Sequence, residues 1–284
     1  MTDPADAVSI VLVTYNREKA LPRTIESILA QSYPHFELLI CDDASTDGTG
    51  DVCERYAATD ARVRYIRNPR NLGMPANLNR GIRLCKHELI ATLHDGDIYA
   101  ATLIEKWRAA LLRYPSAGFV FNRYIHLSPD EKTEATTWGY PEFISGSDFL
   151  ERIVFPDRDV EFPVWGTVMA RRSVYLEMNL FDERFGFWAD IDMWCRIAER
   201  YDIAHVPEPL IRLPSRAALP HLFHERMFTA HAMFFRIHWK ARTRHYSGRP
   251  WQLASSLSFM CWNFVSIRTV KLARRIKKRY LVKG

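Results

Sequence analysis

Three observations predict an α/β chain built on a Rossmann-like, mainly parallel twisted sheet with helices on both faces. Short, almost wholly apolar runs recur between residues 8 and 121, segments of helical period separate them, and polar clusters follow directly on the apolar runs. Uniform apolarity marks strands covered on both faces, as parallel strands usually are. Regular β-α alternation calls for parallel crossovers, and ligands of such sheets sit beyond the C-terminal ends of the strands.

The first strand is "VSIVLV" (8–13), followed by the helical pattern "EKALPRTIESILAQ" with apolar residues at i, i+3 and i+4. The second is "FELLIC" (36–41), and the next helix is "STDGTGDVCERYAA", where "ASTDGT" offers Ser, Thr and Asp as caps. Then come "RVRYI" (62–66), the helix "MPANLNRGIRLC", the strand "ELIATL" (88–93), the helix "AATLIEKWRAALLRY" and the strand "GFVF" (118–121). Residues 122–178 are the least regular part of the pattern.

The strand-end rule gathers the polar clusters on one edge. Thr14, Tyr15 and Asn16 end the first strand, Asp42 and Asp43 the second, "NPRNLG" (68–73) the third and "HDGD" (94–97) the fourth. No G-x-G-x-x-G follows the first strand and no G-x-x-x-x-G-K-[ST] occurs, which excludes the two common phosphate-binding loops. Asp95 and Asp97 are like charges with one residue between them. Such a pair persists on a solvated turn or where a cation compensates it, and an Asp-x-Asp loop holding a divalent cation against a diphosphate is the candidate.

Composition bounds the class. With 284 residues, 48% hydrophobic and 13% aromatic, the chain can bury a large core and is not a disordered polymer. Its five cysteines are scattered, without a C-x-x-C pair, and read as reduced, mostly buried thiols. The opening "MTDPADA" has no basic segment leading into an apolar one, so the expectation is a cytoplasmic start without a cleaved signal. The net charge of +6 conceals a split: residues 213–284 hold 15 Lys+Arg against the single acid Glu225, a balance of +14 that leaves −8 on residues 1–212. Residues 250–267 are uncharged and rich in Trp, Phe and Leu, and eight basic residues follow from Arg268 onward. The run is short and polar for a membrane span, and predicts an interfacial helix drawn to an anionic membrane surface by its basic flank. The acidic body argues against a nucleic-acid partner. Two parts are expected: residues 1–213 as the catalytic domain and 214–284 as a helical, basic, membrane-associating extension, peripheral on the inner face of the plasma membrane.

Four blocks, "VSIVLVTYNREKALPRTIESILAQSYPHFELLICDDASTDGT", "NPRNLGMPANLNRGI", "ATLHDGDIY" and "FDERFGFWADIDMWCRIAERYDIAHVPEPLIR", resemble in order and spacing the inverting family 2 glycosyltransferases of GT-A fold. The resemblance covers about residues 7–213. It implies a metal-dependent enzyme, with Mn²⁺ or Mg²⁺, that moves a sugar from a nucleoside-diphosphate sugar, UDP-linked by preference, to a saccharide or lipid-linked acceptor in cell-envelope polysaccharide or glycolipid synthesis. The donor site implied is Thr14, Tyr15, Asn16, Asp43, Asn71 and Asp95, with Tyr15 offering a ring face to the base. A carboxylate only accepts hydrogen bonds, so Asp43 suits the imide N–H of a uracil-like base. Asp95 and Asp97 are the implied metal ligands. The family's E-D-x-D-x-W block matches "WADIDMW" and places the catalytic base at Asp190, which takes the proton of the acceptor hydroxyl. Arg212 and His221 are weaker candidates for holding the diphosphate.

The chain departs from the family at three places. His94 and Gly96 stand where a D-A-D-D run is usual, which leaves open which of Asp95 and Asp97 touches the metal and whether His94 joins it. Ala189 replaces the glutamate before the base. These departures keep a second reading open, a catalytically inactive GT-A-fold protein that binds a nucleotide or saccharide. Asp192, two residues from Asp190, reads as a helix-start acid favoured by the helix dipole. Trp188 is a candidate to stack on a sugar, and Trp194 reads as core.

Overall fold

The computed structural model describes residues 7–127, 133–135, 140–154 and 166–213, with the single positions 243, 248 and 254. The chain divides into two compact units, Met1–Met233 and Phe234–Gly284. His221 and the apolar-then-basic stretch from residue 250 to the end lie outside the described residues, apart from Ala254.

The predicted alternation is realised as β1 (Val8–Thr14), α1 (Leu21–Leu29), β2 (Phe36–Asp42), α2 (Thr49–Thr59), β3 (Val63–Arg67), α3 (Met74–Leu84), β4 (Leu89–His94), the short β5 (Ile98–Tyr99) and α4 (Leu103–Arg113). There follow β6 (Ala117–Leu127), β7 (Thr133–Ala135), β8 (Phe143–Ile144), α5 (Gly146–Val154), β9 (Val168–Arg171), α6 (Arg172–Glu177), a 3₁₀ segment (Glu183–Trp188), α7 (Ala189–Ala198) and β10 (Asp202–Leu213). The sheet order is β3-β2-β1-β4-β9-β6-β10-β5, with β7 on β6 and β8 on β10. From β3 to β4 every neighbour is parallel. Beyond β4 the sheet is mixed: β9 runs antiparallel between β4 and β6, and β10 is parallel to β6.

Every residue of β1 and β2 is buried, as two covered faces require. Side chains alternate across a strand, so Val8, Ile10 and Leu12 join one core with Leu21, Ile25 and Ile28 of α1 and Trp107 of α4. Val11 and Cys41 point the other way and meet α3, which approaches so closely that a β-carbon at Gly81 would lie 2.5 Å from Val11 Cγ1 and 2.9 Å from Cys41 Sγ. Full burial of each such Leu, Ile or Val contributes about 1.5–3 kcal/mol. Cys41, Cys53, Cys85 and Cys195 are buried free thiols, as expected.

The start of α2 corrects one expectation. The capping position is Gly48, which has no side chain to offer, and Asp47 just before it accepts from the Thr49 N–H at 3.0 Å through its own carboxylate.

At the far end of the unit, α7 is fixed by a buried ion pair. Asp192 and Arg196 face the same side one turn apart, Arg196 Nε lying 2.7 Å from Asp192 Oδ2, and Arg196 also donates to the carbonyls of Met178 and Leu180. Asp192 is 1% exposed, so its role is to answer Arg196, and Trp194 beside it is fully buried core. Asp192→Ala strands the guanidinium among carbonyls without its carboxylate, and is expected to cost ~3–5 kcal/mol in urea unfolding. A loss within 1 kcal/mol, on the order of an exposed pair, would count against this ion pair as the anchor of α7.

Candidate active site

Register brings the predicted clusters to one level. Val13 pairs with His94, and Thr14 with Asp42, so β1, β2 and β4 end together and the chain turns off at Tyr15, Asp43 and Asp95. Asn16 takes up a left-handed conformation (φ 53°), its N–H donating to Ser45 Oγ at 2.9 Å while its Oδ1 accepts from the Thr46 N–H at 2.8 Å. That exchange ties the turn after β1 to the turn after β2. Tyr15 is left 45% exposed, a free ring face at the rim.

Asp95 is the electrostatic centre. Its side chain is 14% exposed; Oδ2 accepts from the Tyr15 N–H at 3.4 Å, and Arg17 Nε lies 3.5 Å from Oδ1. The buried Thr14 hydroxyl faces the same carboxylate without the geometry of a full hydrogen bond to any described residue. Burial pushes the Asp95 carboxyl above its ordinary value, and Arg17, Thr14 and the Tyr15 N–H offset this only in part. Desolvation thus outweighs the stabilisation that the neighbouring donors give the charged form.

The turn that carries it is locked from beneath. Thr24 of α1 accepts from the Gly96 N–H at 3.0 Å and donates to the Asp97 carbonyl at 2.9 Å. The fully buried Tyr99 hydroxyl accepts from the His94 N–H and donates to the His94 carbonyl, both at 2.9 Å. Asp97 is 8% exposed, and its charge adds to burial in pushing the Tyr99 hydroxyl up. Gly96 has φ +95°, in the left-handed region that favours glycine, so the departure from a carboxylate there has a backbone cause.

Asp43 is buried and turned toward the 68–73 loop. Oδ1 accepts from Asn68 Nδ2 and the Leu72 N–H, and Oδ2 from the Gly73 N–H, each at 2.8 Å. A carboxylate has about four acceptor positions, so one is left for a ligand donor. Asn68 Nδ2 also donates to Asn77 Oδ1 at 2.9 Å, and Asn77 Nδ2 to the Cys41 carbonyl at 2.7 Å, a buried polar chain that the sequence did not reveal. Asn71 is exposed on this loop, its Oδ1 accepting from the Gly73 N–H at 3.1 Å. Arg212 is exposed on β10, where it pairs with Ile98 of β5 beside the 94–97 turn.

Asp190 opens α7 and is half-buried, Oδ1 accepting from the Ile191 N–H at 2.8 Å. Its Oδ2 and the His94 imidazole line one small space over Gly166: a β-carbon at Gly166 would sit 3.4 Å from Oδ2 and 2.7 Å from His94 Nε2. The candidate base and the candidate donor loop are thus neighbours through His94. Ahead of α7, Phe187 is 54% exposed and stacks edge-on against Trp188 with centroids 5.6 Å apart. Ala189 is fully buried, so the place of the family's glutamate is packed inside. Arg17, Thr24 and Phe187 were missed in the sequence. Only Thr24 left a trace there, as a hydroxyl within the otherwise apolar stripe of α1.

Among the described residues no group of three or more His, Cys, Asp and Glu side chains is arranged to hold a metal ion. The oxygen donors Asp95 and Asp97 are of the type that suits a hard cation, and Asp95 is buried enough for a cation to relieve the cost of its desolvation. Mg²⁺ and similar ions commonly take one or two carboxylates and complete their shell with phosphate oxygens and water. The residues fit a cation that arrives with a diphosphate.

The fold and the chain match known proteins. Residues 9–178 match the model of "Glycosyl transferase family 2". EpsE of Bacillus subtilis (strain 168), named as a glycosyltransferase, is 31% identical over 198 residues, 68% of this chain and 66% of that protein, just under two thirds of its length. The Escherichia coli protein named "UDP-Glc:alpha-D-GlcNAc-diphosphoundecaprenol beta-1,3-glucosyltransferase WfaP" is 26% identical over 193 residues, 62% of this chain and 76% of WfaP. The crystal structure of S. aureus TarS 1-349 in complex with UDP-GlcNAc superposes with a TM-score of 0.63 at 16% identity, covering 85% of this chain and 73% of that one. That likeness establishes the GT-A fold.

An acid whose folded pKa lies above its ordinary 3.8 stabilises most below that value, and the contribution fades as pH rises through the raised pKa. Asp95→Asn does not titrate. Without added ligand it is expected to unfold at a higher temperature than the parent at neutral pH, the two converging toward about pH 3. Thermal unfolding across that range checks it, and a less stable variant at neutral pH would mean that Asp95 is already fully compensated.

Proposed function

The chain belongs to glycosyl transferase family 2, and from that premise we propose that it moves a sugar with inversion from a UDP-sugar to a lipid-linked saccharide of a cell-envelope polymer, with a divalent cation. The observation that carries this reading is that Asp95 directly follows His94 at the end of β4, while the His94 imidazole and Oδ2 of the half-buried Asp190 line one space over Gly166. WfaP, named for UDP-glucose and a diphosphoundecaprenol-linked GlcNAc, and TarS, solved with UDP-GlcNAc, support the donor class, and WfaP the acceptor class.

In this reading Tyr15 covers the base, Asn16 and the loop held by Asp43 shape the pocket around the nucleoside, and Asn71 lies at its rim. Asp95, with Asp97 behind it, would hold the cation, whose chemistry is to compensate the charge that grows on the departing diphosphate. Arg17 stands beside the same carboxylate and adds positive charge. Asp190 accepts the proton of the acceptor hydroxyl as that oxygen bonds to the anomeric carbon. The bond to the diphosphate breaks on the opposite face, so configuration inverts. Oδ1 of Asp190 accepts from the Ile191 N–H, and in this reading Oδ2 takes the proton.

The inactive-protein reading loses part of its support. Gly96 has a conformational cause and Ala189 a packing one, so neither departure needs loss of catalysis to explain it.

The extension from residue 214 is assigned to membrane attachment on its sequence. Among the described residues no helix is long and apolar enough to cross a membrane.

Two measurements test the proposal. With UDP-glucose and a prenyl-diphosphate-linked GlcNAc, Asp190→Asn is expected to lower kcat by ~10²–10⁴ while UDP affinity stays near that of the parent, because a base acts on the acceptor's proton. Transfer at the parental rate removes Asp190 from the role. In vesicle co-sedimentation the full chain is expected to pellet with anionic lipid at low salt and a version ending at Gly248 to stay in solution. Equal behaviour of the two assigns the tail elsewhere.

A further inference from the structure

Asp190 and Asp95 come from distant parts of the chain, and the reaction needs them at a fixed separation. The residue between them is His94. Its backbone is held as the last residue of β4, in register with Val13, with both N–H and carbonyl bonded to the buried Tyr99 hydroxyl. Its side chain leaves this anchor and lines the space over Gly166 together with Asp190 Oδ2. Gly166 has φ +79° and no β-carbon to fill that space, and its carbonyl accepts from Thr92 Oγ1 of β4 at 2.9 Å. Three segments therefore meet there: the end of β4, the entry to β9 and the start of α7.

Resting on the functional reading above, we infer that His94 is a positioning residue for the base: its imidazole fixes the Asp190 carboxylate relative to the donor loop. Two features make it suitable. Oδ1 of Asp190 accepts from the Ile191 N–H, and Oδ2 is the oxygen that lines the same space as the imidazole. A carboxylate oxygen accepts at two positions, so an imidazole N–H on one does not by itself bar the acceptor hydroxyl from the other. The second feature is covalent. His94 precedes Asp95 directly, so the group that orients the base and the group that faces the diphosphate share a peptide bond. A shift of α7 against the sheet would otherwise open the distance between attacking and leaving oxygens, and about 1 Å of misplacement can lower a rate by ~10².

The test uses the full chain. For His94→Ala, kcat for UDP release from UDP-glucose with prenyl-diphosphate-linked GlcNAc is expected to fall ~10- to 100-fold, with donor KM and calorimetric UDP affinity changed less than about twofold. His94→Gln, whose amide can donate from a similar place, should recover most of the loss. A second arm needs no turnover: the imidazole ¹⁵N signals of His94 should move in Asp190→Asn. Parental kcat in His94→Ala, a loss confined to UDP affinity, or ¹⁵N signals indifferent to Asp190→Asn would each overturn the inference. If the parent transfers no sugar while the ¹⁵N signals do respond, the contact stands but the functional reading falls, and the positioning role with it.

Discussion

Everything at the candidate site depends on the ladder that seats β1 between β2 and β4. Seven residues of β1 pair in parallel with β2, and six pair with β4, without a shift. Because side chains alternate, this register decides which residues join the α1 and α4 core and which meet α3. It also decides where the strands stop. Thr14, Asp42 and His94 finish at one level, and the polar turns begin there in concert. A slip of one residue would invert the faces and carry the carboxylates out of reach of each other.

The polar residues of the edge do two different kinds of work. Asp43, Asn68 and Asn77 hold the 68–73 loop through hydrogen bonds to one another and to its backbone, which build a wall and leave Asp43 one acceptor position for a ligand. Asp95 is buried beside Arg17 on a turn that Thr24 and Tyr99 hold from beneath. Preorganisation of this kind moves the energetic cost of assembling a charged site into folding, so binding does not have to order the loops again. The ion pair of Asp192 and Arg196 serves α7 in the same way, holding the helix without taking part in its chemistry.

The first half of the fold was legible because apolar runs, helical period and strand-end polarity all agreed there. Strands β1 to β4 were read to within a residue or so at each end. β10 was not anticipated, since its prolines at 207 and 209 break the apolar pattern and the strand accommodates them with irregular register against β6. β9 escaped because four residues carry too little periodicity, and its antiparallel placement is set by neighbours far away in sequence. At the site, the carboxylates were visible as types in a pattern. What they touch was not: Asp43 turned inward, and Arg17, Thr24 and His94 acquire meaning only from groups 70 or more residues away.

The glycine between the two aspartates limits how this turn can be exchanged with others. At φ +95° an L side chain is strained whatever room surrounds it, although nothing lies within 4 Å of the place its β-carbon would take. Grafting the family's more usual acidic run onto residues 94–97 would therefore ask the backbone to change before any new carboxylate could act. That change would pull on Thr24 and Tyr99, which hold the turn through main-chain atoms and are indifferent to side-chain identity. The turn and its supporting helix are one mechanical unit, and a chimera that keeps the letters of the loop should also keep α1.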